Sequence, residues 1–281
     1  MDPRAALLML LAGLLHASWH AMVKTGSGLA ILAGMGLVSA ALTLPWLFVL
    51  PMPSGATWLI ILASLVLHAG YKVSLAMAYR SAEFGRSYPI ARGTVPLFAT
   101  VIAYLTLRQL PGLGQFAAIL IIAAGILGLA VDRSHGRFSS SALLAAICAA
   151  AMVAGYSVTD AAGTRQAEGW GSFTAWIIVL DSLSFFAVAL VLRGSKMLVE
   201  IRAARMSVGI AGVLGLTSFA VFLWALSRNP IANVVAFREC SVLFATLIGV
   251  LFLGEPATRR RLVCAASIAV GLMLIAALKP P

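Results

Sequence analysis

Charged side chains are scarce in this chain, and acidic ones are the scarcest. The 281 residues hold 9 Asp and Glu against 20 Lys and Arg, and charged residues make up 10% of the sequence. A soluble domain carries about 25% charged residues. The hydrophobic content of 62% and the mean hydropathy of +1.02 exclude that class. The composition therefore predicts a membrane protein with the lipid bilayer as its solvent.

Cysteine is also rare, and nucleotide-binding motifs are missing. Cys148, Cys240 and Cys264 lie in apolar runs without a C-x-x-C pair, which argues against a disulfide framework or a structural zinc site. The sequence contains no G-x-x-x-x-G-K-[ST] loop, so ATP does not drive its activity directly. We expect no cofactor, no metal and no catalytic residues.

The net charge of +11 does not indicate nucleic-acid binding, because the basic residues are scattered in short loops between apolar runs. Such residues set membrane topology and contact anionic lipid head groups. We therefore expect a small-molecule substrate and no nucleic-acid partner, in a protein that is a monomer or a homodimer.

Ten apolar segments are long enough to span a bilayer when the sequence is read with a window of about 19 residues. The first continues through Trp19 and His20 without a cleavage pattern, so we predict a retained helix and a multi-pass protein of the plasma (inner) membrane. The segments lie near 5–23, 28–50, 57–79, 88–107, 114–131, 139–159, 172–192, 207–226, 231–252 and 261–278.

The sequence repeats itself at a shift of 146 residues. The shift pairs Arg92 with Arg238, LFAT at 97–100 with LFAT at 243–246, and Gly125 with Gly271. This predicts two five-helix repeats, at 1–133 and 134–281. Five is odd, so the second repeat enters the membrane in the opposite direction, which gives an all-α inverted-repeat fold typical of transporters.

The turns after the fourth and ninth segments, LTLRQLPGLGQ and LFLGEPATRRR, carry a family resemblance. With the five-plus-five pattern, they resemble the EamA branch of the drug/metabolite transporter superfamily. Leu253-Gly254-Glu255 matches the usual turn of that family, and Leu107-Arg108-Gln109 does not. The resemblance implies a ten-helix bundle whose central cavity is lined by the first, third, fourth, sixth, eighth and ninth helices. In its size and in the way its sequence begins, this chain is similar to a subgroup of the superfamily, the membrane proteins associated with phosphonate utilisation.

Ionisable residues inside spans cost roughly 2.5–3.5 kcal/mol each and are functional candidates by default. Lys72, Arg92 and Arg238 supply three positive charges, while Asp181 and Glu239 supply two negative ones. An anionic ligand fits the remaining charge, since arginine binds carboxylate or phosphonate oxygens through two parallel bonds. The candidate substrate-binding residues are Arg92, Arg238, Glu239, Lys72, His68, His20, Trp19, Tyr71, Trp224 and Asp181.

Structural alternatives exist for these residues. Glu239 or Asp181 can hold both arginines in an interhelical ion network, and Lys72 can extend to the membrane interface. His16 and His20 have the i, i+4 spacing of metal ligands, but no H-E-x-x-H motif accompanies them. The aromatic residues are candidates for either core or cavity wall.

Pro96 has no backbone N–H and leaves the carbonyl of Arg92 without its usual helical partner, so we predict a kink that serves as a hinge. Transport is passive, exchange-driven or ion-coupled, with His68 and Glu239 as candidate proton carriers.

The leading hypothesis is a secondary transporter that moves a small polar anionic or zwitterionic metabolite by alternating access. Its substrate is an organophosphonate or an amino-acid-like compound. The alternatives are an intramembrane enzyme that uses His16, His20, His68 and Asp181 on a lipid or phosphate substrate, and a scaffold without transport.

Orientation is ambiguous at this level. Of the 20 basic residues, three lie in spans, five on the side of the N-terminus and twelve on the other side. The positive-inside rule thus places both termini outside, whereas the family resemblance places them in the cytoplasm.

Overall fold

The structure is a computed structural model that describes residues 2–25, 28–80, 84–130, 140–166, 168–252, 256 and 258–278. Within these ranges the chain forms helices and no strand. The α-helices are α1 Pro3–Thr25, α2 Gly28–Thr43, α3 Gly55–Arg80, α4 Phe84–Leu107, α5 Leu113–Ala130, α6 Ser140–Thr164, α7 Gly169–Arg193, α8 Lys196–Ala203, α9 Arg205–Arg228, α10 Ile231–Arg238, α11 Cys240–Phe252 and α12 Arg259–Ala277, with a 3-10 helix at Leu44–Phe48.

The helices are long and apolar enough for a multi-pass membrane protein. In the described part of the chain, nine segments qualify as spans, and the apolar run Leu113–Leu129 in α5 is slightly shorter. Large apolar side chains such as Phe48, Leu113 and Val191 are more than four-fifths exposed. Lipid, rather than water, suits a surface of this kind.

Two features of the backbone differ from the predicted set of ten uninterrupted spans: a break in the ninth segment and an additional short helix. The ninth segment is broken at Glu239, which separates α10 from α11, whereas α4 is continuous and holds both Pro89 and Pro96 in its interior. The short helix α8 was not predicted, because a window of about 19 residues does not detect eight residues of mixed polarity. Met197 anchors α8 by packing against Ala30 and Ala33 of α2.

Arg108, at the turn after α4, has a left-handed backbone with φ 55°. A residue with a Cβ adopts this conformation at a cost of roughly 1–2 kcal/mol. The corresponding residue of the second turn is Gly254, which lies outside the described residues. Arg108 therefore takes a backbone conformation that suits glycine, at the position that the shift of 146 residues pairs with a glycine.

The helices pack in pairs around a shared centre. α3 packs on α6, α1 on α9, α4 on α6 and α1 on α11, while α5 packs on α12 and α2 on α7. Small residues allow close approach, as membrane helix pairs require. A Cβ added at Gly125 of α5 would lie 2.9 Å from the carbonyl oxygen of Cys264, and one at Gly271 of α12 would lie 2.9 Å from that of Ala118.

Loop contacts close the end of the bundle at which α1 begins, called here the N-terminal end. The amide of Ser54 donates to Glu168 Oε1 at 2.7 Å, and Thr57 Oγ1 donates to Oε2 at 3.1 Å. Ser172 Oγ donates to the carbonyl of Pro51 at 2.6 Å. These bonds tie the start of α3 to the turn between α6 and α7. Arg165 adds a bond from Nη2 to the carbonyl of Asn229 at 2.7 Å.

Candidate functional site

A cavity of about 260 Å³ lies at the centre of the bundle. Eight of the ten predicted site residues line it: Trp19, His20, His68, Tyr71, Lys72, Arg92, Asp181 and Arg238. The remaining wall is formed by His16, Val23, Leu32, Met35, Gly36, Ser39, Tyr156, Ile178, Ser182, Phe185, Gly215, Leu216 and Phe219.

The wall uses more helices than the resemblance implied. α2 contributes Met35 and Ser39, and α7 contributes Asp181 and Phe185, in addition to residues from α1, α3, α4, α6, α9 and α10. These two helices, α2 and α7, also pack directly on each other.

Two ion pairs form among the candidate residues. Lys72 Nζ lies 2.7 Å from Asp181 Oδ1, joining α3 to α7, and both side chains are about one-quarter exposed. Arg92 Nε lies 3.1 Å from Glu239 Oε2, joining α4 to the break between α10 and α11, and this pair is almost fully buried. Arg92 also donates from Nη2 to Ser241 Oγ at 3.3 Å.

Arg238 differs from Arg92 in its partners. Its Nη1 donates to the hydroxyl of Tyr156 at 3.3 Å, and its guanidinium carbon lies 4.1 Å from the ring centroid of Phe222. No carboxylate of the described residues lies within 4.0 Å of it. Among the described residues, the direct contacts of this cavity cation are thus a hydroxyl and a ring face rather than an ion pair.

Asp160 is an acidic group that the sequence reading did not weigh. It is fully buried in α6, where Ser64 Oγ donates to its Oδ1 at 2.5 Å. Asp160 is not among the charges counted within the spans, because it lies at the edge of the sixth apolar segment. The signal in the sequence is an acidic residue directly beside an apolar run, where Asp160 follows the segment 139–159.

The histidines and aromatic residues of the cavity form two stacks. On α1, the ring of Trp19 stacks on His20 with centroids 3.8 Å apart, and His16 lies 4.5 Å from His20. Across α3 and α6, His68 stacks on Tyr156 at 4.0 Å. In the part of the chain that the structure describes, no group of three His, Cys, Asp or Glu side chains is placed to hold a metal.

Two predicted site residues do not line the cavity. Trp224 lies on α9, whose cavity side is formed by Gly215, Leu216 and Phe219. Trp224 is five residues beyond Phe219, so its side chain is rotated by about 140° from that of Phe219 around the helix axis. Trp224 packs against the core instead. Glu239 lies behind the wall, where it contacts the lining residue Arg92.

The cavity extends toward one end of the bundle. Its wall reaches Val23 near the end of α1 and Leu32 near the start of α2, which meet at the end opposite the N-terminus. At the N-terminal end, Phe173 and Phe222 are almost completely buried below the cavity.

The fold and the cavity define a multi-pass helical membrane protein with a charged central chamber. Residues 140–277 match the EamA-like transporter family.

Two further comparisons extend beyond the second half of the chain. An uncharacterised transporter, YwfM, of Bacillus subtilis (strain 168) is 23% identical over 220 residues, which cover 78% of this chain and 74% of that one. A solved crystal structure superposes with a TM-score of 0.69 at 18% identity and covers 98% of this chain and 96% of the other, which shows a shared fold. Together these matches support a membrane transporter.

Proposed function

We propose that this protein is a secondary transporter of a small polar anionic or zwitterionic metabolite, an organophosphonate or an amino-acid-like compound, which it moves by alternating access. The observation that carries the proposal is Arg238, a cavity guanidinium without a carboxylate partner among the described residues. Uncompensated charge at this depth is costly, and an anionic ligand offsets the cost.

The charge pattern around Arg238 favours an anion. Lys72 and Asp181 neutralise each other, as do Arg92 and Glu239, so Arg238 is the cavity cation without an ion pair among the described residues, and the buried Asp160 offsets its charge only when ionised. Its guanidinium presents a planar fork suited to carboxylate or phosphonate oxygens. Lys72 and Asp181 line the same cavity and offer both signs to a zwitterion.

We further propose that residues 1–133 and 134–281 form two inverted repeats. The packing of the helices supports this relation. The shift of 146 residues relates the packed pair α3 and α6 to the packed pair α9 and α1, and it relates α4 and α6 to α11 and α1. The contacts of the paired glycines support the same relation. The atoms facing Gly125 belong to Cys264 and Ile268, and those facing Gly271 belong to Ala118 and Ile122, each 146 residues away from its counterpart.

Alternating access requires a second conformation that opens the N-terminal end. The bonds from Ser54, Thr57 and Ser172 across to the opposite half of the bundle would break in that conformation. The end toward which the cavity extends carries most of the loop charge, so the positive-inside rule makes it cytoplasmic in a plasma membrane. On this assignment the structure represents an inward-facing state.

A triad hydrolase, the nearest enzymatic alternative, needs a different order of contacts. In such an enzyme the aspartate binds the histidine, and the histidine binds the serine. Here Asp160 accepts from Ser64, and His68 Nδ1 faces the same serine at 3.1 Å. The serine therefore lies between the acid and the histidine, and the arrangement favours a hydrogen-bonded relay over a nucleophile.

Binding and uptake by the full chain in proteoliposomes test the proposal. The probes are methylphosphonate, 2-aminoethylphosphonate and alanine, with the dication putrescine as the charge control. We expect uptake of at least one anionic or zwitterionic probe, exclusion of putrescine, and a loss of affinity of about 10- to 100-fold in Arg238→Gln, the range of a hydrogen bond to a charged group.

Arg228→Gln is the matched control, because Arg228 ends α9 outside the cavity and contacts the ring of Trp224. It should bind and transport like wild type. Transport of putrescine alone, or unchanged affinity in Arg238→Gln, would contradict the anion assignment.

A further inference from the structure

Asp160 lies in a setting that is unusual for a carboxylate. Its side chain has no exposed surface, Ser64 Oγ donates to Oδ1, and Oδ2 has no hydrogen-bond partner in the described part of the chain. A carboxylate that loses water without gaining a cation is strongly destabilised in its ionised form. A proton on the carboxyl group would remove that cost.

His68 connects this carboxyl group to the cavity. Its Nδ1 lies 3.1 Å from Ser64 Oγ and 3.0 Å from the Ser64 carbonyl oxygen, while the residue forms part of the cavity wall. Ser64 Oγ therefore stands between the imidazole and Asp160, within hydrogen-bond distance of both. The result is a continuous chain of exchangeable protons from the cavity to a buried acid.

Tyr156 joins the same chain to the cavity arginine. Its ring stacks on His68 at 4.0 Å with an interplanar angle of 21°, and its hydroxyl accepts from Arg238 Nη1 at 3.3 Å. One residue thus contacts both the imidazole and the guanidinium to which we assign the substrate. A change at either group reaches the other through a single side chain.

We propose that His68, Ser64 and Asp160 form a proton-binding site that is coupled to substrate binding at Arg238 and makes the transporter a proton symporter. This inference rests on the transport function proposed above. A proton on Asp160 removes a negative charge that repels an anion, and a bound anion favours the proton in return. Linkage requires that the two effects be equal, so proton and anion bind together.

The transfer needs no further reactant. A proton from cavity water binds His68 Nε2, the proton on Nδ1 moves to Ser64 Oγ, and the hydroxyl proton of Ser64 moves to Asp160 Oδ1. One proton enters, one negative charge disappears, and His68 is left neutral as its other tautomer. Release by the reverse route restores the starting tautomer.

The surrounding ionisable groups leave Asp160 as the site of net charge change. Lys72 is paired with Asp181, and Arg92 with Glu239. Between its terminal residues Arg205 and Arg228, α9 carries no ionisable side chain. The ionisable groups on the cavity side of the helices around Asp160 are His68, Tyr71 and Lys72 on α3, Tyr156 on α6, Asp181 on α7, Arg92 on α4 and Arg238 on α10.

Infrared difference spectroscopy of the purified full-length protein tests proton binding without a substrate. Stepping the pH between about 8 and 5, the range in which histidine titrates, should produce the carbonyl band of a protonated carboxylic acid. The band should disappear in Asp160→Asn, shift in Ser64→Ala and remain in Glu239→Gln. Ser64→Ala also covers the case in which Asp160→Asn does not fold. The proposal is overturned if the band is lost only in Glu239→Gln, or if neither Asp160→Asn nor Ser64→Ala affects it.

Counterflow and gradient-driven uptake of 2-aminoethylphosphonate in proteoliposomes test the coupling. Counterflow needs no net proton movement, so Asp160→Asn should retain it while losing the acceleration by an inward proton gradient. Wild-type counterflow without any gradient response would overturn the symport but leave the transport function standing. An Asp160 band without uptake of any probe would instead overturn the transport function and, with it, the coupling.

Discussion

Arg92 and Glu239 form a buried ion pair, with Nε 3.1 Å from Oε2, at the point where the ninth span is interrupted. The side chains are 6% and 1% exposed. The pair therefore joins α4 to the break between α10 and α11 inside the protein. The two arginines related by the internal repeat consequently have different tasks: Arg92 holds a carboxylate, and Arg238 presents its charge to the cavity.

This division predicts opposite outcomes for equivalent substitutions. Arg92→Gln leaves Glu239 buried without a cation and should cost about 3–5 kcal/mol of stability, as other broken buried pairs do. Arg238→Gln should melt within a few degrees of wild type, because no carboxylate of the described residues forms an ion pair with it. Melting of the detergent-solubilised variants measures both.

The double variant Arg92→Gln/Glu239→Gln is the control for the buried charge. It should recover most of the stability lost in Arg92→Gln, since neither side chain is then charged. If Arg238→Gln melts as low as Arg92→Gln, the two arginines share one structural network and the division of tasks is wrong.

The sequence predicted the spans well because each is a nearly continuous apolar run. The eighth segment was placed at 207–226, and the helix is Arg205–Arg228. The break at Glu239, the residue that pairs with Arg92, was not predicted. The kink assigned to Pro96 stays a prediction, because α4 is continuous through that residue.

The candidate site was predictable where charge in an apolar run was the signal, and less so where orientation decided. Lys72, Arg92 and Arg238 were found because each interrupts an apolar segment. Trp224 was proposed for the site but packs against the core, because an aromatic residue fits core and cavity equally and only the rotation of α9 distinguishes them. Asp160 was overlooked because its burial and its contact with Ser64 arise only when α3 and α6 pack together.

The glycines of α5 and α12 should be equally intolerant of a methyl group. At Gly125 a Cβ would lie 2.8 Å from Ile268 Cγ1, and at Gly271 it would lie 2.5 Å from Ile122 Cγ1, with a backbone carbonyl oxygen close behind in both cases. Gly125→Ala and Gly271→Ala should each lower stability by about 1–3 kcal/mol through overpacking. Thermal melting provides the comparison.

Gly209→Ala is the matched control for these two variants. Gly209 lies inside α9, and a Cβ there would meet no atom within 4 Å. The substitution should be neutral or stabilise by up to about 1 kcal/mol, because alanine favours helix. Equal losses at Gly209 and Gly125 would show that the effect is not contact across α5 and α12.

Glu168 should make stability depend on acid pH. Hydrogen bonds, first from Ser54 and also from the Glu168 amide and Thr57, lower the pKa of Glu168 from 4.5 to about 2. A lowered pKa contributes stability above pH 4.5, and that contribution is lost as the pH falls from about 4.5 to about 2. Glu168→Gln should therefore flatten the melting temperature across this window and lower it above pH 4.5.

Ser172→Ala separates this effect from a general loosening of the N-terminal end. Its hydroxyl bonds the Pro51 carbonyl beside the same turn, and neither group titrates. The variant should lower the melting temperature by the same amount at every pH. An unchanged acid slope in Glu168→Gln would remove Glu168 from this role.

The last prediction concerns the sign of the charge in the cavity, which the Lys72–Asp181 pair controls. Asp181→Asn leaves Lys72 unneutralised and adds one positive charge to the wall, whereas Lys72→Met leaves Asp181 unneutralised. At a separation of ~10 Å and an effective dielectric constant of about 20, a unit charge changes the binding free energy of a monoanion by about 1.7 kcal/mol, somewhat more than tenfold in affinity. Asp181→Asn should therefore bind methylphosphonate more tightly, Lys72→Met more weakly, and the double variant like wild type. Isothermal titration of all four proteins gives the complete cycle. Weaker binding in both single variants would mean that the pair contacts the ligand directly or positions α3 and α7, and would contradict a purely electrostatic role.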